Sequence, residues 1–372
     1  MQFSYFHLMP YTATRTVPHD WPVSNKDFDP KVGANLYRGY LDNLTLAEEC
    51  GFDWIGCNEH HMSPYGLMSN PNIIGAALIE RTKRAKIAIV GSLVPLLNPI
   101  RIAEEYAMLD VMSGGRLIAG LLRGIPHEYV AYNVPPDESY GRLIEAIHLI
   151  KKAWTAQEPF GWEGKYYQFR AISIWPKPYQ QPHPRILMSG STESSAKLAA
   201  REGAMLGLVQ ITDVEATKKM IRVYRDEAKE CGWNPGPEDI LIGCSCLIAD
   251  SFKEAKETLE EGRNFLADIL GGGMRTAQQL VLQKSRYYDD DSKKKFMDMR
   301  KIMRVPIEDL LAKKAIMCGT AEMVTESIHH LHKEFGHGCM SLSMKIGNVP
   351  DEVTAKSLRL FRDKVRPHVH NL

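Results

Sequence analysis

Short apolar runs alternate with segments of helical periodicity along almost the whole chain, and this alternation restricts the fold more than any other feature. A strand, a crossing helix and a further strand form a right-handed parallel unit, and repetition of that unit builds an open sheet or a closed barrel. The strand candidates are Phe3–Met9, the run ending at Glu59-His60-His61, Ala85–Pro95, Arg116–Gly124, Arg185–Ser191, Met205–Ile211, Ile240–Ala249 and Cys339–Ile346. Between them, Leu41, Leu44 and Glu48 recur at helical spacing before Gly51, and Pro99 opens a helix that Ser113-Gly-Gly closes. Leu143, Ile147, Ile150 and Trp154 share one helical face, Asp213 caps a helix reaching Cys231, and Ser251-Phe-Lys-Glu254 has the form of a capping box. A helix over Met323–Phe335 precedes the last strand. These pairs predict an α/β fold, a (β/α)8 barrel forming one domain over residues 1–372.

Insertions are expected after strands one, four and seven, at about 11–35, 157–184 and 271–317. In the second, Gly161–Ile174 reads as a β-hairpin and Pro176–Pro184 as an extended linker. In the third, Gly271-Gly-Gly reads as a hinge, and the run Asp289-Asp-Asp-Ser-Lys-Lys-Lys-Phe296 offers little apolar surface. Phe296, Met297, Met299, Ile302 and Met303 recur at helical spacing, which predicts an amphipathic helix acting as a lid or as a surface or subunit contact.

Lys and Arg number 46 against 45 Asp and Glu, so no global field draws the chain to nucleic acid or to an anionic membrane. The start, Met1-Gln-Phe-Ser-Tyr-Phe-His, has no basic region followed by an apolar core, and no apolar run approaches a bilayer span. A cytoplasmic location is the expectation. The seven cysteines include no Cys-x-x-Cys pair and read as reduced thiols, with no metal site.

Barrel enzymes carry their chemistry at the carboxyl ends of the strands. Strand two ends in Glu59-His60-His61, which makes His60 and His61 candidates for acid–base work near neutral pH. Neither Gly-x-Gly-x-x-Gly nor Gly-x-x-x-x-Gly-Lys-Ser/Thr is present, which argues against a dinucleotide domain or a phosphate-transfer loop. An anion site is instead expected at Ser189-Gly-Ser-Thr-Glu-Ser-Ser195, where hydroxyls and free amides meet at a helix start. Arg123, one residue before Gly124 on the neighbouring strand, supplies a cation for a phosphate.

In motif order the chain resembles the bacterial luciferase-like family of flavin-dependent monooxygenases. The matching segments are Glu59-His-His61, Asn98 to Arg116, Gly120-Leu-Leu-Arg-Gly124, Gln181-Pro-His-Pro184, Ser191-Thr-Glu-Ser-Ser195 with Ala199-Ala-Arg-Glu-Gly203, and Cys318-Gly-Thr-Ala-Glu322. The segment Thr12–Asn35, with Trp21, has no counterpart in luciferases proper. The resemblance implies a TIM-type barrel, reduced FMN as cofactor, a separate flavin reductase as partner, and O2 as co-substrate. It implies oxygenation of a small or medium organic substrate through a flavin peroxide, in a homodimer or higher homo-oligomer. By position, His60 matches the acid–base histidine near the flavin, with His61 beside it. Arg123 and Gly124, with Ser189, Gly190, Glu193, Ser194 and Ser195, match the cofactor phosphate site, and Gly91 falls where relatives carry a non-prolyl cis peptide against the ring. Two alternatives stay open: hydride transfer with a deazaflavin on the same fold, and flavin binding without catalysis.

Overall fold

The computed structural model describes residues 1–14, 22–211, 213–282 and 305–372. Its strands are β1 (Gln2–His7), β2 (Trp54–Cys57), β3 (Lys86–Leu93), β4 (Leu117–Leu122), β5 (Phe160–Glu163), β6 (Gln168–Ile172), β7 (Arg185–Ser189), β8 (Met205–Leu208), β9 (Ile240–Ile248), β10 (Ile316–Gly319) and β11 (Cys339–Ser343). Parallel pairing runs β11-β1-β2-β3-β4-β7-β8, and β9 closes the ring by pairing with both β8 and β11. The result is a closed barrel of eight parallel strands, as the alternation predicts.

Successive side chains of a strand point to opposite faces, so each strand serves two cores. Phe6, Trp54, Ala88, Val90, Ile118, Leu187, Met205, Leu241 and Cys339 draw on every barrel strand and fill the inside. Their neighbours, among them Ile55, Ile87, Ile89, Ala119, Ile186, Leu206 and Ile242, pack outward under the helices.

The helices are α1 (Pro30–Glu49), α2 (Pro71–Arg81), α3 (Pro99–Ser113), α4 (Pro126–Ala131), α5 (Ser139–Thr155), α6 (Glu193–Arg201), α7 (Val214–Glu230) and α8 (Phe252–Leu282), followed by Ile307–Ala312, Ala321–Phe335 and Asp351–Leu360. Several begin with a polar cap and proline: Asp29 accepts from the Lys31 amide at 2.8 Å ahead of Pro30, and Asn98 from the Ile100 amide at 2.9 Å ahead of Pro99. The Asp29 cap explains why α1 starts well before the helical spacing of Leu41, Leu44 and Glu48.

At the third and fourth strands the backbones approach closely. A Cβ at Gly91 would lie 2.3 Å from the Gly120 carbonyl oxygen, and one at Gly120 would lie 2.1 Å from that of Ile89. The Val90–Gly91 peptide is cis, and the ladder shifts register between Ile89 and Ser92. Tyr106 ties the two strands, accepting from the Ser92 amide at 3.1 Å and donating to the Gly120 carbonyl at 2.7 Å.

The expected hairpin forms from β5 and β6, which pair antiparallel. The third insertion differs from its expectation. Gly271-Gly-Gly is not a hinge, because α8 continues through it to Leu282. Helix propensity alone disfavours glycine there by roughly 1 kcal/mol per residue, and the surrounding helix overrides it. The strand β10 also begins inside that segment and pairs with Ser245–Ile248 of β9. The charged run at 289–295, the helix expected over Phe296–Met303, and Trp21 lie outside the described residues.

Two fully buried histidines set a pH limit on the fold. His7 is held well below its ordinary value by burial and by the charge of Lys345, and His337 is pushed down to about 3 by burial, His332 and the amino terminus. Both are neutral in the folded state, whereas the unfolded chain takes up their protons at about pH 6.5. Unfolded chains therefore bind more protons as pH falls below that value, so stability is full above pH 6.5 and declines beneath it. The loss approaches about 1.4 kcal/mol per pH unit for each histidine. Urea unfolding at pH 7 and pH 5 should show the decline, and because burial also pushes His127 down to about 4, His337→Gln should remove about a third of the histidine contribution.

Candidate active site

The chain leaves β2 at Cys57, and the next residues carry two carboxylate–imidazole pairs across the carboxyl end of the barrel. Glu59 is buried and uses both oxygens. Oε1 meets His61 Nε2 at 2.8 Å, while Oε2 accepts from the Leu93 amide at 3.0 Å, tying the loop to the end of β3. His61 Nδ1 faces the Tyr132 hydroxyl at 3.2 Å. Both ring nitrogens of His61 are thus engaged inside the protein.

His60 turns the other way. Its Nδ1 lies 2.7 Å from Oε1 of Glu128, and the Tyr65 ring packs edge-on to it with centroids 4.8 Å apart. The imidazole borders a cavity of about 980 Å³ whose wall includes Tyr11, Phe28, Tyr37, Met62 and Leu67. Much of this wall comes from the segment after β1, chiefly Pro22 to Phe28. Several of its polar atoms are already used: the Tyr37 hydroxyl donates to the Leu67 carbonyl at 2.5 Å, and that of Tyr11 accepts from the Asp29 amide at 2.9 Å. A volume of this size suits a drug-sized organic molecule.

Glu128 has no exposed side-chain surface. Burial pushes its carboxyl group up, but the charge and hydrogen bond of His60, the nearby His127 and a bond from the Ile125 amide outweigh that and hold it below the ordinary value. The Ile125 bond is 2.7 Å and fixes Oε2 while Oε1 serves His60. His127, next in the cluster, is pushed down to about 4, chiefly by burial.

The residues expected to bind an anion lie on the adjoining strands. Gly120 of β4 is in register with Leu187 of β7, so three residues later Arg123 and Gly190 come level at the carboxyl end. Gly124 follows at φ +95°, and its carbonyl accepts from the Tyr129 hydroxyl at 3.0 Å. Gly190 is packed so closely that a Cβ would lie 2.2 Å from Leu206 Cδ1. Thr192 caps α6: its Oγ1 accepts from the Ser195 amide at 3.2 Å, and Ser195 Oγ accepts from the Thr192 amide at 3.0 Å. The amides of Glu193 and Ser194 start the helix without an intrahelical acceptor, beside the hydroxyls of Ser189, Ser191 and Ser194. The exposed Glu193 carboxylate pairs with Lys219 Nζ at 2.6 Å.

His60 and the serine loop thus stand at the same end of the barrel, whereas His61 is withdrawn. Reasoning on the sequence missed Glu128 and Tyr132. Pro126 followed two residues on by an acid has the form of a helix start, and that signal marks Glu128 in the first turn of α4. No group of three or more His, Cys, Asp or Glu among the described residues could hold a metal ion, and no described helix is long and apolar enough to cross a membrane.

Comparison with known proteins decides the family. The model of the luciferase-like monooxygenases matches residues 16–338. The chain belongs to that family. It is 33% identical over 181 residues to an uncharacterized protein of Sinorhizobium fredii, a match spanning 48% of this chain and about half, 53%, of that protein. To the oxygenase component of a flavin-dependent trigonelline monooxygenase of Acinetobacter baylyi it is 27% identical over 259 residues, 68% of this chain and 70% of the relative. Among solved structures, a monooxygenase of Streptomyces bottropensis superposes with a TM-score of 0.75 at 28% identity, covering 99% of each chain. An F420-dependent secondary alcohol dehydrogenase shares the fold at 19% identity, with a TM-score of 0.70 over 99% of this chain and 98% of its own.

Within this luciferase-like barrel the serine loop depends on its cap. Thr192→Ala removes the acceptor for the Ser195 amide and should lower stability by about 1 kcal/mol in urea unfolding. Thr192→Ser should keep most of it.

Proposed function

We propose that the protein is a monooxygenase that uses reduced FMN and O2 to oxygenate a small or medium-sized organic substrate, with a separate reductase supplying the reduced flavin. The observation that carries this reading is His60, backed by the buried carboxylate of Glu128, on the wall of a large cavity at the same barrel end as the serine loop and Arg123. Cofactor and substrate have places there, with one proton-handling group beside the chamber.

The residues present fit a flavin phosphate. Arg123 supplies charge, Gly124 and Gly190 allow close approach, and the Glu193 and Ser194 amides with the hydroxyls of Ser189, Ser194 and Ser195 supply donors. Gly91, which has no room for a side chain against Gly120, offers a flat backbone surface suited to a ring. Reduced flavin, when bound, supplies the electrons that activate dioxygen for oxygen-atom transfer. The task of the protein is to orient the substrate, exclude water and hold or move a proton at His60 Nε2. The cavity wall combines aromatic and apolar side chains with polar ones, among them Asn25, Lys26 and Asp27, which suits an organic substrate carrying polar groups.

Deazaflavin-dependent hydride transfer is the second reading, favoured by the shared barrel of the F420-dependent alcohol dehydrogenase. Titration with FMN and with F420, followed by turnover with a flavin reductase under ¹⁸O2, separates the two. Tight FMN binding and one ¹⁸O atom in the product support oxygenation. Binding of F420 alone, with alcohol–ketone interconversion under anaerobic conditions, would replace it.

Two variants test the residues. Arg123→Ala should weaken FMN binding several-fold to about a hundred-fold, the equivalent of roughly 1.5–3 kcal/mol for a charge-assisted contact, and unchanged fluorescence quenching would remove Arg123 from the phosphate site. His60→Ala should bind reduced FMN normally yet form product about 10²-fold more slowly or worse, releasing hydrogen peroxide instead. Normal coupling in that variant would make His60 structural.

A further inference from the structure

We propose that Glu128 is the positioning residue of the site: it fixes the His60 proton on Nδ1 and leaves Nε2 as the atom that exchanges a proton with a molecule in the cavity. The catalytic consequence rests on the functional reading above, whereas the tautomer itself does not.

The argument starts from what each atom is able to do. An ionised carboxylate only accepts hydrogen bonds, so an imidazole nitrogen 2.7 Å from it carries the hydrogen. Glu128 is held in that form and in that place from both sides, because Oε2 accepts from the Ile125 amide while Oε1 serves His60. A neutral imidazole has one N–H. With the hydrogen on Nδ1, the lone pair is on Nε2.

The surroundings leave the ring no equivalent alternative. The Tyr65 ring packs edge-on to it, and His127 belongs to the same helix as Glu128. Lys26 and Asp27 belong to the cavity wall, and the neighbouring His61 is occupied by Glu59 and Tyr132 through its two nitrogens. The two adjacent histidines are therefore opposites. His61 meets its carboxylate through Nε2 and spends Nδ1 on Tyr132, while His60 meets its carboxylate through Nδ1 and keeps Nε2 for a ligand.

Removal of the carboxylate changes the direction of that exchange. Without an acceptor at Nδ1, nothing opposes a move of the hydrogen to Nε2, which would then present a donor where an acceptor stood. Such partners behind a functional imidazole typically alter activity by about 10–100-fold when lost.

The test is the tautomer, read by long-range ¹H–¹⁵N spectra of the full-length, flavin-free protein labelled in histidine, with His60→Gln identifying the His60 signals. The expected result for neutral His60 is hydrogen on Nδ1; hydrogen on Nε2 in the unaltered protein overturns the proposal, and this measurement needs no variant at Glu128. Glu128→Leu should move the hydrogen to Nε2. In turnover, Glu128→Leu should form about 10–100-fold less product per O2 consumed, with KM for reduced FMN changed less than about twofold, and Glu128→Gln, whose amide oxygen still accepts from Nδ1, should recover part of the loss. Wild-type coupling in Glu128→Leu overturns the positioning role. Failure of the oxygenase reading looks different, since unaltered protein would then form no oxygenated product either.

Discussion

Closure of the sheet by β9 is the constraint on which the rest of the structure depends. Its first residues pair with β8 on one edge and its middle with β11 on the other, so the parallel ladder has no free edge around the ring. In a closed ring every strand must place alternate side chains inside and outside, which is why each barrel strand contributes to the inner cluster headed by Trp54 and also to the shell under the helices. Closure also brings all carboxyl ends to one rim. Residues as far apart in sequence as His60, Arg123 and Ser195 become neighbours of one opening without any of them having to carry the fold.

The alternation of apolar runs with helical stripes was enough to read the eight barrel strands, because each run is buried on both faces and carries a continuous apolar signal. The hairpin at Phe160–Ile172 was legible from its aromatics and flanking glycines. What failed has local physical reasons. β10 is four residues long and shows no alternation, so its pairing with β9 is a tertiary fact with no sequence period behind it. The glycine triplet at 271–273 carries a strong local preference that the helix around it overrides. Within the site, the residues after β2 marked the histidines at the carboxyl end of the barrel, and the serine-rich junction marked the start of α6. No property of two adjacent histidines says which one turns toward a cavity. That depends on Glu59, in the same loop, and on Glu128, in the helix that follows β4.

These two carboxylates show how one loop supports two different duties. Glu59 bonds to the end of β3 and to the histidine beside it, and its contacts stay within the wall of the barrel. Glu128 bonds to its own helix start and to a histidine on another loop, so it couples the β4 segment to the β2 segment across the rim. The first arrangement stabilises a turn. The second holds an imidazole at a fixed angle to a chamber, and its rigidity follows from having both oxygens occupied by donors on different segments.

The chamber itself owes its character to the segment after β1. Tyr11 and Tyr37 point hydroxyls into protein partners, which turns their rings toward the cavity as apolar surface. Phe28, Met62 and Leu67 continue that surface, and Met62 adds an adaptable thioether to it. His60 shares this wall with polar residues of the same segment, among them Asn25, Lys26 and Asp27, and its own ring borders the aromatic and thioether surface. The barrel supplies the serine loop and the imidazole from elements that fold for their own reasons. The chamber wall falls largely to a segment outside the barrel strands, so its shape can change along that segment while the His60–Glu128 pair and the serine loop stay in place.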